Sequence, residues 1–382
     1  MHREVAAEPS VGLGLPWQAQ ELQASDQRKW PSGDDVLEHD VEWLLAQCDR
    51  PDKRVLVIEN GGALAIPFFL HDGQIDFDFG ELTLASTSVR RHVLVANFSQ
   101  MAVEDWHEVF ESLHRRLPSN AAVFLLGVVS GEALERALSQ PRLRSRYLVS
   151  RHGPSYERRL CRLGADLEAY LSSLASGRRQ DLRRSLRRFD REFVGRFEFR
   201  VHTEARELEL MLDAVEPVSA RTYQARLRGL ALSRHNHTGR EVLEGARRGL
   251  ARCYLLSIEG RPVAWRLGLL YRGVYYSHHI GYDPDFERWH PGVVMHLKSV
   301  EDLSQNVGGV RVLDMLYGDN DFKRKASNLS RSEANYYLFP KTLRGRLNHT
   351  LLSGSGRLSR SIGDWLESSG MKTKIKRWIR RR

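Results

Sequence analysis

The chain has 382 residues, 41% hydrophobic and 28% charged, which is enough apolar material for two domains of roughly 100–200 residues each and too much for global disorder. The net charge of +10 is concentrated: Arg178 to Arg191 contributes +5, Lys372 to Arg382 contributes +7, and the remainder nets about −2. That excludes a uniformly basic nucleic-acid coat, and the wide spacing of Cys48, Cys161 and Cys253 argues against a disulfide scaffold or a thiolate zinc site.

Residues 1–35 read as a flexible polar arm without the apolar stretch of a signal peptide. Val36 to Gln47 has helical spacing. Strand-like runs follow at Arg54 to Ile58, Ala63 to Leu70, Gln74 to Phe79 and His92 to Ala96. His71-Asp72-Gly73 is the expected hairpin turn, since Asp-Gly supplies positive φ. Ala102 to Leu117 is an amphipathic helix, Ala121 to Val129 a buried strand, Gly131 to Ser139 a helix and Arg146 to Leu160 a strand pair. Ala121 to Val129 is also the longest apolar run, far below the ~20 residues of a membrane helix, so a cytoplasmic setting is expected. Residues 36–160 thus form one α/β lobe.

Residues 161–340 form a second lobe. Helix Asp166 to Ser173 and the arginine-rich helix Ser176 to Glu192 precede a strand, Arg196 to His202. One long or broken helix is expected over Glu204 to Arg228 and another over Glu241 to Leu250. Three strands then follow: Ala251 to Ile258, Pro262 to Tyr271 and Val274 to Tyr282. The tight links Glu259-Gly260 and Arg272-Gly273 make them an antiparallel meander. A helix at His290 to Gln305, a strand at Val310 to Leu316, a polar turn and a strand at Ala334 to Phe339 complete the lobe. Residues 341–382 read as a basic tail with a flexible Ser/Gly link, Ser353 to Arg360. Within it Met371, Ile375, Trp378 and Ile379 form an apolar row against seven cations. That pattern suits an anionic membrane surface at the inner face of the plasma membrane, a peripheral location.

Four stretches carry a family likeness: SGRRQDLRRSLRRFDRE (Ser176 to Glu192), IGYDPDFERWHPGVVMHLKSVED (Ile280 to Asp302), the strand VRVLDML, and YGDNDFKRKAS (Tyr317 to Ser327). The last is similar to a Gly-x-x-x-Tyr-Lys turn with Phe322 in place of Tyr. Their order resembles the acyl-CoA N-acyltransferase (GNAT) core, and more narrowly the FemAB/CelD-type acetyltransferases linked to cellulose and polysaccharide biosynthesis. The resemblance covers about residues 160 to 340. It implies a duplicated α/β (α+β) fold with largely antiparallel mixed sheets flanked by helices, the first lobe being a degenerate copy. It also implies a transferase that takes acetyl-CoA or another acyl-CoA and acylates an amine or hydroxyl of a glycan or lipid-linked sugar; no His/Cys/Asp set stands at metal spacing, so no metal is expected. The sequence departs from the family at the phosphate loop, where Trp289 to Val294 keeps only Gly292, and at Arg221-Thr222-Tyr223, where Ser-Trp-Lys is usual.

The residues support this chemistry in part. Pro291 and Gly292 suit a helix start that presents the amides of Val293, Val294, Met295 and His296 to a pyrophosphate, or simply an ordinary helix start. His278 and His279 adjoin on one strand; alternation sends one of them to a cleft as a proton acceptor, or leaves both as half-buried sheet residues. Asp314, in an apolar strand, is a candidate base or one half of a salt bridge. Lys323 occupies the family's lysine position, to meet a phosphate or oxyanion, or stays solvated. Arg179, Arg183 and Arg187 form a basic helical row for a phosphate or carboxylate of the substrate, and Tyr223, at the family's Ser-Trp-Lys position, is a further substrate-binding candidate by resemblance. Two rival functions stay open: a FemAB-type aminoacyl-tRNA-dependent ligase, with the arginine helix on the RNA backbone, and a non-catalytic membrane scaffold.

Overall fold

A computed structural model describes residues 17–22, 36–61, 64–79, 82–96, 98, 101–222 and 231–354. The described chain divides into two compact units, one of residues 17–22, 38–155 and 333–354, the other of residues 156–332 with 36–37.

In the first unit the strands are β1 (Gln18–Leu22), β2 (Arg54–Glu59), β3 (Ala65–Phe79), β4 (Leu82–Val95), β5 (Ala121–Val129) and β12 (Leu329–Pro340), which hydrogen-bond in that order. β1 to β4 are antiparallel. Helix α2 (Val103–His114) then carries the chain over to β5, parallel to β4, and β12 closes antiparallel on β5. Helix α1 (Val41–Ala46) starts at Asp40, whose carboxylate accepts from the Trp43 amide at 2.9 Å. In α2 Trp106, Val109, Phe110 and Leu113 repeat at three- and four-residue steps and are fully buried. Burial stabilises each by about 1.5–3 kcal/mol. They pack on Phe68, Leu125 and the following helices α3 (Ala133–Ser139) and α4 (Pro141–Arg146).

The second unit repeats this plan with β7 (Phe197–His202), β8 (Cys253–Ile258), β9 (Arg261–Tyr271), β10 (Val274–Tyr282), β11 (Val312–Asp314) and the part from residue 156 onward of β6 (Tyr147–Arg162), again in that order. β7 to β10 are antiparallel, helix α9 (Pro291–Gln305) crosses to a parallel β11, and β6 closes antiparallel on β11. Helices α5 (Leu167–Ser172) and α6 (Ser176–Glu192) share the α9 face, while α7 (Ala205–Ser219) and α8 (His237–Arg247) cover the other. The same strand order twice, each with one parallel crossover, makes the fold a duplicated GNAT-like α/β architecture.

Several local expectations shift. Gln18–Leu22 is a strand within the segment read as a loose arm. The chain does not turn at His71-Asp72-Gly73: β3 runs on to Phe79, Gly73 lies opposite Val89, and its φ is not positive. A Cβ there would meet the Arg91 side chain at 3.2 Å, so this glycine accommodates a neighbour rather than a turn. Residues 147–162 form one long strand, not a pair, although Gly153 has φ +74°. The polar turn after β11 is helix α10 (Asp321–Ala326), capped by Asn320. Residues 343–354 are helical, α11, and pack through Leu352 on the first unit's second core. The basic tail at 372–382 and Tyr223 lie outside the described residues.

Candidate functional site

The two parallel crossovers differ in ways that decide which can take a ligand. In the first unit, β4 and β5 stay paired from Arg90 to Val95, and the Ala96 amide still donates to the Leu126 carbonyl. His39 stacks on Phe98 at 3.6 Å and bonds the Val95 carbonyl at 2.7 Å, filling the end of that ladder. Helix α2 begins with Glu104 and Asp105, whose charges already answer the positive helix end; Asp105 accepts from the Ala102 amide. In the second unit the ladder is short. Val274 to Tyr276 pair with Val312 to Asp314, and then β10 continues to Tyr282 without β11. The result is an open wedge at the carboxyl ends of two parallel strands, with a crossover helix starting beside it, the usual place for a ligand in such folds.

Helix α9 starts at that wedge without acids in its first turn. Its cap, His290, is left-handed (φ 54°), and its ring meets Ser185 of α6 at 3.0 Å. The amides of Val293 and Val294 both donate to the His290 carbonyl, at 2.9 and 3.2 Å. This corrects the expectation that Val293 to His296 present open amides: from Val293 onward they are spent inside the helix. Pro291 has no N–H, which leaves Gly292 as the first residue of α9 with an amide to offer. A Cβ on Gly292 would stand 3.3 Å from the Tyr282 ring, so the glycine keeps the helix start close to β10. Met295 and His296 are buried in the core.

The histidines owe their placement to a bulge. Ser277 pairs with Gly268 and His279 with Leu267, so His278 is the extra residue. Alternation therefore breaks, and both rings reach the α7–α8 side, contrary to the expectation of opposite faces. His278 Nδ1 faces Glu241 of α8 at 3.1 Å. His279 lies flat against Trp265 and accepts from its indole N–H at 3.2 Å. Leu269, on the same face of β9 as Trp265, abuts Gly245 of α8, which confirms the side. The partners fix the tautomers. Because His279 Nδ1 accepts, its proton sits on Nε2 and it is a donor. His278 Nδ1 donates to the Glu241 carboxylate, and its Nε2 is buried. Burial works to raise the Glu241 carboxyl, but the facing His278 and His237 hold it below the usual range.

Asp314 and Lys323 belong to the framework of the wedge. Asp314 is 4% exposed and takes Arg158 of β6 on both oxygens, with a closest contact of 2.7 Å. It also caps the Leu316 amide at 2.8 Å, so the salt-bridge expectation describes it. Lys323 donates to the carbonyls of Met315 and Tyr317 at 2.6 Å and of Leu316 at 3.4 Å, which clamps the turn where Leu316 has φ 55°. Burial lowers its ammonium to about 8. On α6, Arg183 pairs with Glu168, while Arg179 and Arg187 have no acidic partner among the described residues. Among those residues there is no group of three His, Cys, Asp or Glu placed to hold a metal, and no helix is long and apolar enough to cross a membrane.

Residues 176–324, which span the wedge and both of its helices, match the family model of the acetyltransferase (GNAT) domain. The second unit is a GNAT acetyltransferase domain. For such a domain the family implies an acyl-CoA co-substrate and an acceptor. Two solved structures share the fold of most of the chain. FemX is 10% identical, with 77% of this chain and 89% of that one covered and a TM-score of 0.51. The C-terminal DUF2156 domain assigned to a lysylphosphatidylglycerol synthetase of Agrobacterium fabrum is 13% identical, with 84% and 92% covered and a TM-score of 0.50. No curated protein matches the chain. Glu241, Trp265 and Arg158 were not among the residues expected from sequence; Glu241 and Arg158 sit far along the chain from their partners, and Trp265 reads as an ordinary strand residue.

Proposed function

We propose that the GNAT domain transfers an acyl group, acetyl foremost, from a coenzyme A thioester to an amine or hydroxyl by direct attack. The observation that carries this reading is the Glu241–His278 pair at the β10 bulge, on the face opposite α9. Donor and acceptor then approach the wedge from opposite faces. On the α9 side, the Gly292 amide and the positive helix end face the donor pyrophosphate. On the α7–α8 side, His278 Nε2 takes the acceptor's proton as the acceptor attacks the thioester carbonyl. Glu241 holds the ring in that tautomer and stabilises the imidazolium that forms. The Nε2–H of His279 is a donor for the carbonyl oxygen as it gains charge.

The acceptor in this reading is a sugar of a cell-surface polysaccharide or its lipid-linked precursor, while Arg179 and Arg187, on the α9 face, meet phosphates of the donor. The likeness to CelD-type enzymes and the basic, apolar pattern of the sequence after residue 370 support it; that pattern would bring the enzyme to an anionic membrane surface. The test is acetyl-CoA turnover against a panel of amino sugars and lipid-linked glycans, with wild type beside His278→Ala. Turnover that falls by about 10²–10⁴-fold in the variant supports the reading. An unchanged rate removes His278 from it, and no turnover with any acyl-CoA removes the reading itself.

A second donor, aminoacyl-tRNA, is favoured by one observation: Arg187, Arg188 and Arg191 lie exposed on α6 with no acidic partner among the described residues. Binding of tRNA that weakens steeply with salt, together with no binding of coenzyme A, would select it.

A further inference from the structure

Arg266 of β9 is 1% exposed and has no carboxylate partner among the described residues. Its Nη2 donates to Nδ1 of His296 at 3.0 Å, while Nε and Nη1 are buried without an acceptor. A guanidinium in that state is costly unless an anion comes to it.

Its position says where such an anion would arrive. Arg266 lies opposite Ile280, on the half of β10 that has left β11, and its side chain is on the α9 face. Cys161 of β6, beyond β11, is within its electrostatic reach. The guanidinium therefore extends from β9 under β10 toward β11, beneath the wedge. The neutral acids around it are already committed. His296 passes its Nε2 proton to the Tyr170 hydroxyl at 2.9 Å, and Tyr170 donates to the Ala326 carbonyl, as does the Cys161 thiol at 3.3 Å. Lys323 is tied to three carbonyls. What remains uncommitted beside the wedge is the positive charge of Arg266.

We propose that Arg266 stabilises the coenzyme A thiolate as it leaves, a role that rests on the acyl-transfer reading above. As the acceptor's lone pair forms its bond to the carbonyl carbon, the carbon–sulfur bond breaks and sulfur departs with that electron pair. The acceptor's proton goes to His278 Nε2, so no acid need protonate the sulfur at that moment. The buried cation lowers the energy of the thiolate through a medium that screens it weakly.

The direct test is the thiol titration of coenzyme A bound to the protein, followed by thiolate ultraviolet absorbance, for wild type, Arg266→Lys and Arg266→Gln. Wild type should hold the bound thiol ~1–3 pH units more acidic than free coenzyme A. Arg266→Lys should retain part of that shift and Arg266→Gln should lose it. In parallel, Arg266→Gln should lower kcat by roughly 10²-fold with acetyl-CoA, and by much less with an acetyl thioester of an acidic thiophenol, whose sulfur needs little help. If wild type binds coenzyme A but its thiol titrates alike in all three proteins, the proposal is overturned. A loss confined to donors with a carboxylate in the acyl chain also overturns it, because Arg266 would then be a carboxylate receptor. Failure of wild type to bind coenzyme A at all would instead refute the acyl-transfer reading. Unfolding midpoints of the three proteins separate a local charge effect from a damaged core.

Discussion

Glu241→Gln removes one charge and keeps the side chain's shape, which makes it the sharpest probe of the bulge histidines. The carboxylate lies 3.1 Å from His278 Nδ1 and is largely buried on α8. A hydrogen bond to a charged group is worth about 1.5–3 kcal/mol net. At 1.36 kcal/mol per decade that becomes ~10- to 150-fold in kcat, if the bond matters mainly when His278 turns cationic in the transition state. KM for the acyl donor should stay within about twofold by the same differential-binding logic, because the pair sits on the face opposite α9. The assay is steady-state release of free thiol with acetyl-CoA and a working acceptor. Equilibrium unfolding of both proteins checks that the fold survives. A kcat within twofold of wild type, in a variant that folds normally, would refute the assignment of Glu241 as the group that orients the base. A raised acceptor KM with unchanged kcat would make Glu241 a binding residue instead.

Asp314 separates two roles by a different signature. Asp314→Ala strands Arg158 in a site where both side chains are 5% exposed, so the second unit should lose about 3–5 kcal/mol of stability, read from the denaturant midpoint. Loss of activity with full stability would contradict its placement in the framework. The first unit carries a pH dependence. Burial lowers His39 to about 3 and His92 to about 4, against an ordinary value of 6.5. Both are neutral when folded, and the unfolded chain takes up protons below pH 6.5. Stability should therefore fall as the pH drops from 6.5 toward 4, by about 1.4 kcal/mol per pH unit for each histidine. A urea midpoint that does not change between pH 7 and pH 5 would contradict this.

The meander and the helices around the wedge were readable because their signals are local. β10 and α6 fall on the residues expected from periodicity. Tight links at Arg272-Gly273 and Glu259-Gly260 adopt the positive φ that their glycines suggested. The same logic misplaced the turn at Asp72-Gly73, because a glycine that makes room for a cross-strand arginine looks identical in sequence to one that turns. The site itself was half legible. His278, His279 and Gly292 stand out by residue type and position. Their roles depend on a one-residue bulge, on Glu241 37 positions away, and on Trp265 across the ladder; none of these leaves a mark in a single sequence. Arg266 was invisible for a plainer reason: its β9 neighbours read as core, and an arginine among them carries no sign that it lacks an acid.

The central claim is that the second unit binds an acyl-CoA at the start of α9. Calorimetric titration of the protein with acetyl-CoA, repeated on Gly292→Trp, tests it most directly. A bulky ring at 292 must displace Tyr282 or fill the approach to the helix start, since even a Cβ there would lie 3.3 Å from that ring. The account predicts saturable one-site binding by wild type and its loss in the variant, with both proteins folded. Equal binding by both would move the donor away from this helix, and the absence of heat with acetyl-CoA and with longer acyl-CoAs would contradict the account.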